Sequence, residues 1–207
     1  MFDTSAFIEG LLLGFGLFTS VGPKDAFVIR RALTGRHLLV IVAICAGSDA
    51  LLIALGTGGI AALLTRVPIL LSICLWSGIG YLVWYGLRSL HSAIAGKRKA
   101  DAAGAERRHS FAQTVLATAA VSLLNPYAWV DTVLILGSIA AARTADARLP
   151  FTVGAVAASF AWFLFLAFFS RSCRWLFSHA MAWQALDAVV ALMMLGMAAH
   201  LAVTHAI

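Results

Sequence analysis

Apolar residues fill six stretches of the chain, and polar residues are concentrated in the connections between them. Each stretch is long enough for a helix that crosses a bilayer, which needs about 20 residues. The predicted spans cover residues 6–29, 38–64, 69–90, 111–142, 150–170 and 182–204. The pattern therefore predicts an all-α integral membrane protein with six transmembrane helices.

Two of the predicted spans contain a proline with polar neighbours. Gly22-Pro23 interrupts the first span, and Asn125-Pro126 interrupts the fourth, which is also too long for one straight crossing. Proline in a helix lacks an N–H and clashes with the carbonyl four residues before it. In a membrane, the backbone groups freed in this way persist only against protein or a wet cavity. Gly22, Pro23 and Pro126 are therefore predicted helix-break residues on a transport path.

The two breaks divide the chain into halves of similar design. Each break lies in the first span of its half, which predicts a single transmembrane domain over 1–207: repeat one at 6–90, a basic connector at 91–110 and repeat two at 111–204. Three spans per half make the two three-helix repeats inverted, and transporters built in this way bind substrate near the midplane. A five-span layout stays open if one broken segment only re-enters the membrane.

Composition and charge agree with a membrane location. The chain is 62% hydrophobic and 12% charged, with a mean hydropathy of +0.94, whereas soluble domains average about 25% charged residues. Of the basic residues, 11 flank the connections on one side of the six-span layout and three flank those on the other. The positive-inside bias makes the basic side cytoplasmic and both termini external. The net charge of +6 is thus explained without nucleic-acid binding.

Asp49 lies near the centre of the second predicted span. A charge at this depth costs about 2.5–3.5 kcal/mol even on insertion scales, and intramembrane carboxylates usually mark ion or substrate paths. The alternative is a structural carboxylate that is paired with Lys24 or held protonated by burial. We interpret Asp49 as a substrate- or proton-binding group.

Asp131 follows Pro126 by five residues, and the apolar run after it places it well inside the membrane. The alternative is an interfacial residue, but we favour substrate or proton binding. Asn125 has amide donors and acceptors for backbone groups freed by the break or for a ligand.

Lys24 and Asp25 flank the first break on its helical side. Adjacent helical residues do not face each other, so Lys24 is expected to pair with Asp49 or Asp131. Both residues are candidates for the substrate site, with a structural ion pair as an equal alternative for Lys24. Asp187, near the start of the last span, is interpreted as interfacial.

Catalytic and metal-binding patterns are lacking in the sequence. The three cysteines lie singly in apolar segments and form no CxxC pair, and no nucleophile, zinc or phosphate-loop motif occurs. We therefore expect no enzyme activity, no cofactor and no metal site. An intramembrane aspartyl protease built on Asp49 and Asp131 is a disfavoured alternative.

Five segments, taken in order, resemble the lysine/arginine exporter family of the LysE type. They are residues 22–28 (GPKDAFV), 48–49 (SD), 76–84 (WSGIGYLVW), 124–132 (LNPYAWVDT) and 158–163 (ASFAWF). The resemblance runs from about residue 8 to the end and spares only the connector. It implies a bacterial inner-membrane exporter of arginine or lysine, driven by the proton gradient or the membrane potential. It also implies that Asp49 and Asp131 match the family's intramembrane aspartates.

The chain departs from that family at Lys24-Asp25, where the family usually has Gln-Asn after its first Gly-Pro. The two charges supply a built-in cation for Asp49 or Asp131. Export of another amino acid, an amine or a divalent cation is therefore an alternative, as is a membrane scaffold or subunit without transport activity. The expected partners are a basic amino acid and the lipid bilayer, and the oligomeric state, including a homo-oligomer, stays open.

Overall fold

The structure is a computed structural model, and it describes residues 2–20, 22–34, 37–60, 66–95 and 110–205. Three features of the sequence interpretation lie outside the described residues. They are the basic loop around Arg36, the end of the second predicted span at 61–64 and most of the basic connector, at 96–109.

Helices account for nearly all of the described chain, and no strand occurs among the described residues. We number them in chain order as α1 (Thr4–Phe18), α2 (Pro23–Thr34), α3 (Leu38–Leu55), α4 (Pro68–Ala95), α5 (Phe111–Leu123), α6 (Pro126–Ala141), α7 (Ala145–Ser172) and α8 (Ala180–His205). A π-helical segment, Gly56–Ile60, continues α3, and a 3₁₀ segment, Cys173–Ser178, follows α7.

Judged by helix length and composition, the number of candidate spans is compatible with the six that the sequence predicts. Four segments are long and apolar enough to cross a membrane: Leu38–Ile60, Ile69–Ala95, Ala145–Phe177 and Met181–Thr204. Two bent pairs raise the number to as many as six if each pair is one span. Helices α1 and α2 meet at 81°, and α5 and α6 meet at 53°. The described chain therefore has four to six candidate spans, and both bends fall at the predicted prolines.

Helix α7 begins earlier than its apolar run suggests. The sequence places the fifth span at 150–170, but the helix extends from Ala145 to Ser172 with Pro150 inside it. Pro150 lies early in the helix, where loss of a single backbone hydrogen bond affects only the first turns. The polar residues Asp146 and Arg148 conceal this first turn in a hydropathy pattern.

Glycines let α1 and α7 pack closely. A Cβ on Gly10 would lie 2.0 Å from the Phe151 carbonyl oxygen, and one on Gly154 would lie 2.1 Å from that of Phe7. Small residues allow such approach between membrane helices. This contact holds α1, the half-helix before the first break, against a helix of the second half.

A second close contact joins the segment that continues α3 to α6. Gly56 and Gly137 meet where the end of α3 crosses α6, and a Cβ on Gly137 would lie 2.6 Å from the Gly56 Cα. Gly58 and Gly80 do not face a neighbouring helix of the described chain, since nothing lies within 4 Å of a Cβ built on either.

Candidate functional site

A polar cavity lies where the two broken helices restart. Its lining includes all five residues that the sequence singles out as substrate or proton ligands, namely Lys24, Asp25, Asp49, Asn125 and Asp131. Gly22 and Pro23 of the first break also line it. The cavity volume of about 50 Å³ accommodates a few water molecules.

At the first break, the Asp25 carboxylate binds backbone at the start of its own helix, α2. The Gly22 backbone N–H donates to Asp25 Oδ2 over 2.6 Å, and the Trp162 indole N–H of α7 donates to Asp25 Oδ1 over 2.9 Å. A carboxylate is stabilised at a helix N-terminus by the exposed backbone N–H groups and the helix dipole. Asp25 therefore has a hydrogen-bond donor for each oxygen, one local and one from the other half of the chain.

Lys24 reaches from α2 to the middle of α3. Its ammonium forms a buried ion pair with Asp49 Oδ1, which confirms one of the two predicted pairings. Ser159 Oγ donates to Asp49 Oδ2 over 2.7 Å, and the Lys24 Nζ lies 5.3 Å from the centroid of the Phe163 ring. The pair is buried, with only 9% and 2% of the two side chains exposed, and both oxygens of Asp49 have a donor.

The second break is closed by neutral groups. Asn125 caps the start of α6, because its side-chain oxygen accepts from the Tyr127 backbone N–H over 3.1 Å. The Trp129 indole N–H donates to the Leu123 carbonyl over 2.9 Å and satisfies the end of α5. An amide at the N-cap is a common way to satisfy an open helix start, and here it requires no charge.

Asp131 differs from the other two carboxylates of the cavity. It is buried, with 8% exposed, but it accepts no hydrogen bond from, and forms no ion pair with, any residue in the described part of the chain. It lies in Trp129–Leu136, where α6 is π-helical, and π-helical turns often occur at functional sites. A buried carboxylate without a partner is costly, and a cation or a proton at the cavity would remove that cost.

The arrangement provides complementary charges for a small zwitterion. Asp131 lines the cavity, and a carboxylate can accept charge-assisted hydrogen bonds from a cationic group. The Asp25 carboxylate already occupies the start of α2, whereas the start of α6 has a neutral cap and lines the same cavity. Half-helix N-termini in transporters point at anionic substrate groups. The cavity can therefore receive a cation at one place and a carboxylate at another.

Sequence reasoning missed two of the donors that hold these carboxylates. Ser159 and Trp162 belong to the 158–163 segment of the resemblance, but neither is singled out as a site residue. A serine and a tryptophan within an apolar helix are ordinary in composition. Their role follows only from hydrogen bonds to aspartates that lie 110 and 137 positions away in the sequence.

The structure corrects the sequence interpretation of Asp187. The residue is expected at the interface, but it is 1% exposed and forms an ion pair with Arg30 of α2. Ser92 Oγ of α4 also donates to Asp187 Oδ2 over 2.6 Å. The packing of α8 against α2 and α4 buries a residue that sequence position alone places near water.

The described residues contain no group of three or more His, Cys, Asp or Glu side chains that could hold a metal ion. The three aspartates of the cavity do not form such a group, and two of them accept hydrogen bonds from protein donors.

Comparison with known proteins gives relatives over nearly the whole chain. The arginine exporter protein ArgO of Serratia proteamaculans is 35% identical over 199 residues, covering 96% of each chain. ArgO of Yersinia enterocolitica is 39% identical over 165 residues, 79% of each chain. The lysine exporter LysE of Corynebacterium diphtheriae is 29% identical over 221 residues, covering 94% of this chain and 97% of its own.

These relatives are named as exporters and not as enzymes, in agreement with the expectation from the sequence. No solved structure matches the chain. The family model described as LysE type translocator matches residues 15–205. The helices and this match together identify the chain as a multi-pass membrane protein that belongs to the LysE type translocator family.

Proposed function

We propose that the protein exports a basic amino acid, arginine or lysine, across the bacterial inner membrane, and that Asp131 binds the cationic side chain. The observation that carries the proposal is the unpartnered Asp131 carboxylate in a cavity between two broken helices. Charge-assisted hydrogen bonds from ammonium or guanidinium to carboxylate are the strong ones. The names of the relatives, arginine exporter and lysine exporter, point to the same cation.

The rest of the substrate fits the remaining polar groups of the cavity. The α-carboxylate would face the start of α6, where the helix dipole favours negative charge and the cap is a neutral amide. Asn125 would orient it through the side-chain NH₂, which makes no hydrogen bond to a described residue. Lys24 and Asp25 would shape the cavity while remaining bound to Asp49, Gly22 and Trp162.

The proposed architecture has two inverted repeats that meet at this site. Asp49 lies 11 residues from either end of Leu38–Ile60, and Ser159 lies at the middle of Ala145–Ser172. In the proposed symmetry α3 corresponds to α7, so the bond between Asp49 and Ser159 joins the midpoints of two equivalent helices. This supports a site close to the bilayer midplane, as inverted repeats generally have.

The proposed path runs between two ion pairs. Arg30 and Asp187 lie toward the end where α2 stops and α8 starts. Arg143 and Glu9 lie toward the opposite end, with a contact of 2.6 Å. The positive-inside bias makes the first end cytoplasmic. Exposure of the site to either side in turn, driven by the proton gradient or the membrane potential, would move the substrate outward.

The test is efflux of labelled arginine and lysine from liposomes that contain the purified protein. The native chain should release both, and Asp131→Asn should lower the rate by about 10- to 100-fold, the value of a lost charge-assisted hydrogen bond of 1.5–3 kcal/mol. Asp146→Asn, the same change at an exposed residue of α7, is the matched control and should transport normally. Normal efflux by Asp131→Asn would contradict the proposal.

One observation favours a second candidate, the export of a neutral amino acid. Lys24 already neutralises Asp49, so the cavity has less negative charge available than its three aspartates suggest. A panel of amino acids in the same liposomes separates the two candidates. Efflux of leucine or threonine in preference to arginine would favour the second.

A further inference from the structure

We propose that Lys24 is a tethered cation, whose ammonium takes the place of a dissociable cation at Asp49 and leaves Asp131 as the one carboxylate of the cavity that exchanges ligands. The inference deepens the proposed function, because it assigns how the site is restricted to one cationic group. It rests on the geometry of the ion pair and not on the identity of the substrate.

The position of Lys24 in the chain lets its ammonium act in this way. It is the second residue of α2, directly after the helix-breaking proline, so its side chain begins at the cavity. Lysine carries a compact charge on a flexible stem of four carbons. The stem spans from α2 to the centre of α3, and its end reaches Asp49 while the backbone remains part of a helix.

The surroundings of the ammonium are those of a bound cation. Asp49 Oδ1 accepts from Lys24 and the Phe163 ring faces the charge at 5.3 Å. Ser159 Oγ donates to Asp49 Oδ2. Each carboxylate oxygen thus already has a donor of the protein, and the Lys24 ammonium neutralises the charge that would otherwise attract a substrate cation.

Asp25, next to Lys24, does not need the ammonium. Its carboxylate is held by the Gly22 N–H and the Trp162 indole, which leaves Lys24 for Asp49. Asp131 has no such donor among the described residues. Of the three carboxylates, one is capped by backbone and indole, one by the tethered cation, and one is open.

The test is chemical rescue of Lys24→Ala, measured as melting temperature of the purified protein. Removal of the tether leaves Asp49 buried without its cation, so Lys24→Ala should melt lower by on the order of 5 °C or more. Propylammonium chloride supplies the missing ammonium and alkyl stem. It should raise the melting temperature of Lys24→Ala more than tetramethylammonium chloride does at the same concentration.

Two comparisons test whether the rescue depends on the Asp49 carboxylate. In the double variant Lys24→Ala with Asp49→Asn the cation has no charge to neutralise, so this protein should melt above Lys24→Ala and respond equally to the two salts. The native chain should also respond equally. Equal responses of Lys24→Ala to the two salts, or melting of Lys24→Ala at the native temperature, would overturn the proposal.

If Lys24→Ala cannot be purified, the double variant and Lys24→Arg decide. Recovery of both in native yield supports the tethered cation, because one removes the carboxylate and the other keeps the charge. Failure of both overturns it, because packing of the lysine stem would then be what matters. None of these readouts requires transport, so an inactive protein would refute the proposed function and leave this inference to be judged separately.

Discussion

The two helix breaks meet the same structural problem with different chemistry. At the first, charged groups are satisfied by one another and by the protein: Asp25 binds Gly22 and Trp162, and Lys24 binds Asp49. At the second, the backbone is satisfied by neutral groups, the Asn125 amide and the Trp129 indole. The one charge near it, Asp131, has no partner in the described part of the chain.

Under the proposed function, the difference separates a charge that maintains structure from a charge that is available to a ligand. Buried charges persist when paired, and the first break is fully paired. The second break closes without using Asp131, so ligand binding there need not dismantle the break. We therefore expect substitutions at the first break to affect stability most, and substitution of Asp131 to affect transport most.

The largest expected effect on stability is that of Asp49→Asn. It leaves the Lys24 ammonium buried without a carboxylate, and breaking a buried pair in this way costs about 3–5 kcal/mol. Asp131→Asn removes an unpartnered carboxylate and should leave the free energy of unfolding unchanged or higher. Denaturant titration in mixed micelles measures both. If Lys24 re-paired with Asp131 without cost, Asp49→Asn would unfold like the native chain, and the comparison would fail.

A smaller difference is expected between the two tryptophans. Trp162→Phe removes a hydrogen bond to the Asp25 carboxylate and should cost about 1.5–3 kcal/mol, whereas Trp129→Phe removes one to the neutral Leu123 carbonyl and should cost about 0.5–1.5 kcal/mol. The two substitutions change the side-chain volume equally, so each is the control for the other. An equal or larger loss of unfolding free energy in Trp129→Phe would argue against a charge-based first break.

The smallest difference is expected at the residues that precede the prolines. Asn125→Ala removes the side-chain cap of α6 and should cost about 1 kcal/mol of stability. Gly22→Ala removes no side-chain hydrogen bond, and its Cβ would lie an ordinary 3.5 Å from Asp25 Oδ2, so we expect a cost below about 0.5 kcal/mol. The same titration measures both. A larger cost for Gly22→Ala would indicate that the first break tolerates only glycine.

The breaks and the buried charges could be predicted from the sequence because each violates its local surroundings. A proline or an aspartate within an apolar run is costly wherever the helix packs. The sequence alone is therefore enough to recognise Pro23, Pro126, Asp49 and Asp131. The start of α7 was harder to predict from the sequence, because its first turn is polar.

The partners of these charges were not predictable in the same way. Ser159 and Trp162 are ordinary residues of an apolar helix, and they become part of the site only when α7 packs against α2 and α3. Asp187 was misplaced for the same reason, because its burial depends on Arg30 and Ser92 from two other helices. Which carboxylate is paired and which is open is decided by tertiary contacts.

The most direct test of this account is arginine binding by three purified proteins, measured by calorimetry. The native chain and the double variant Lys24→Ala with Asp49→Asn should bind arginine with dissociation constants that agree within about tenfold, a difference of 1.4 kcal/mol. Asp131→Asn should bind at least about tenfold more weakly than either. Retained binding in Asp131→Asn, together with its loss in the double variant, would contradict the account, because the substrate cation would then depend on Asp49.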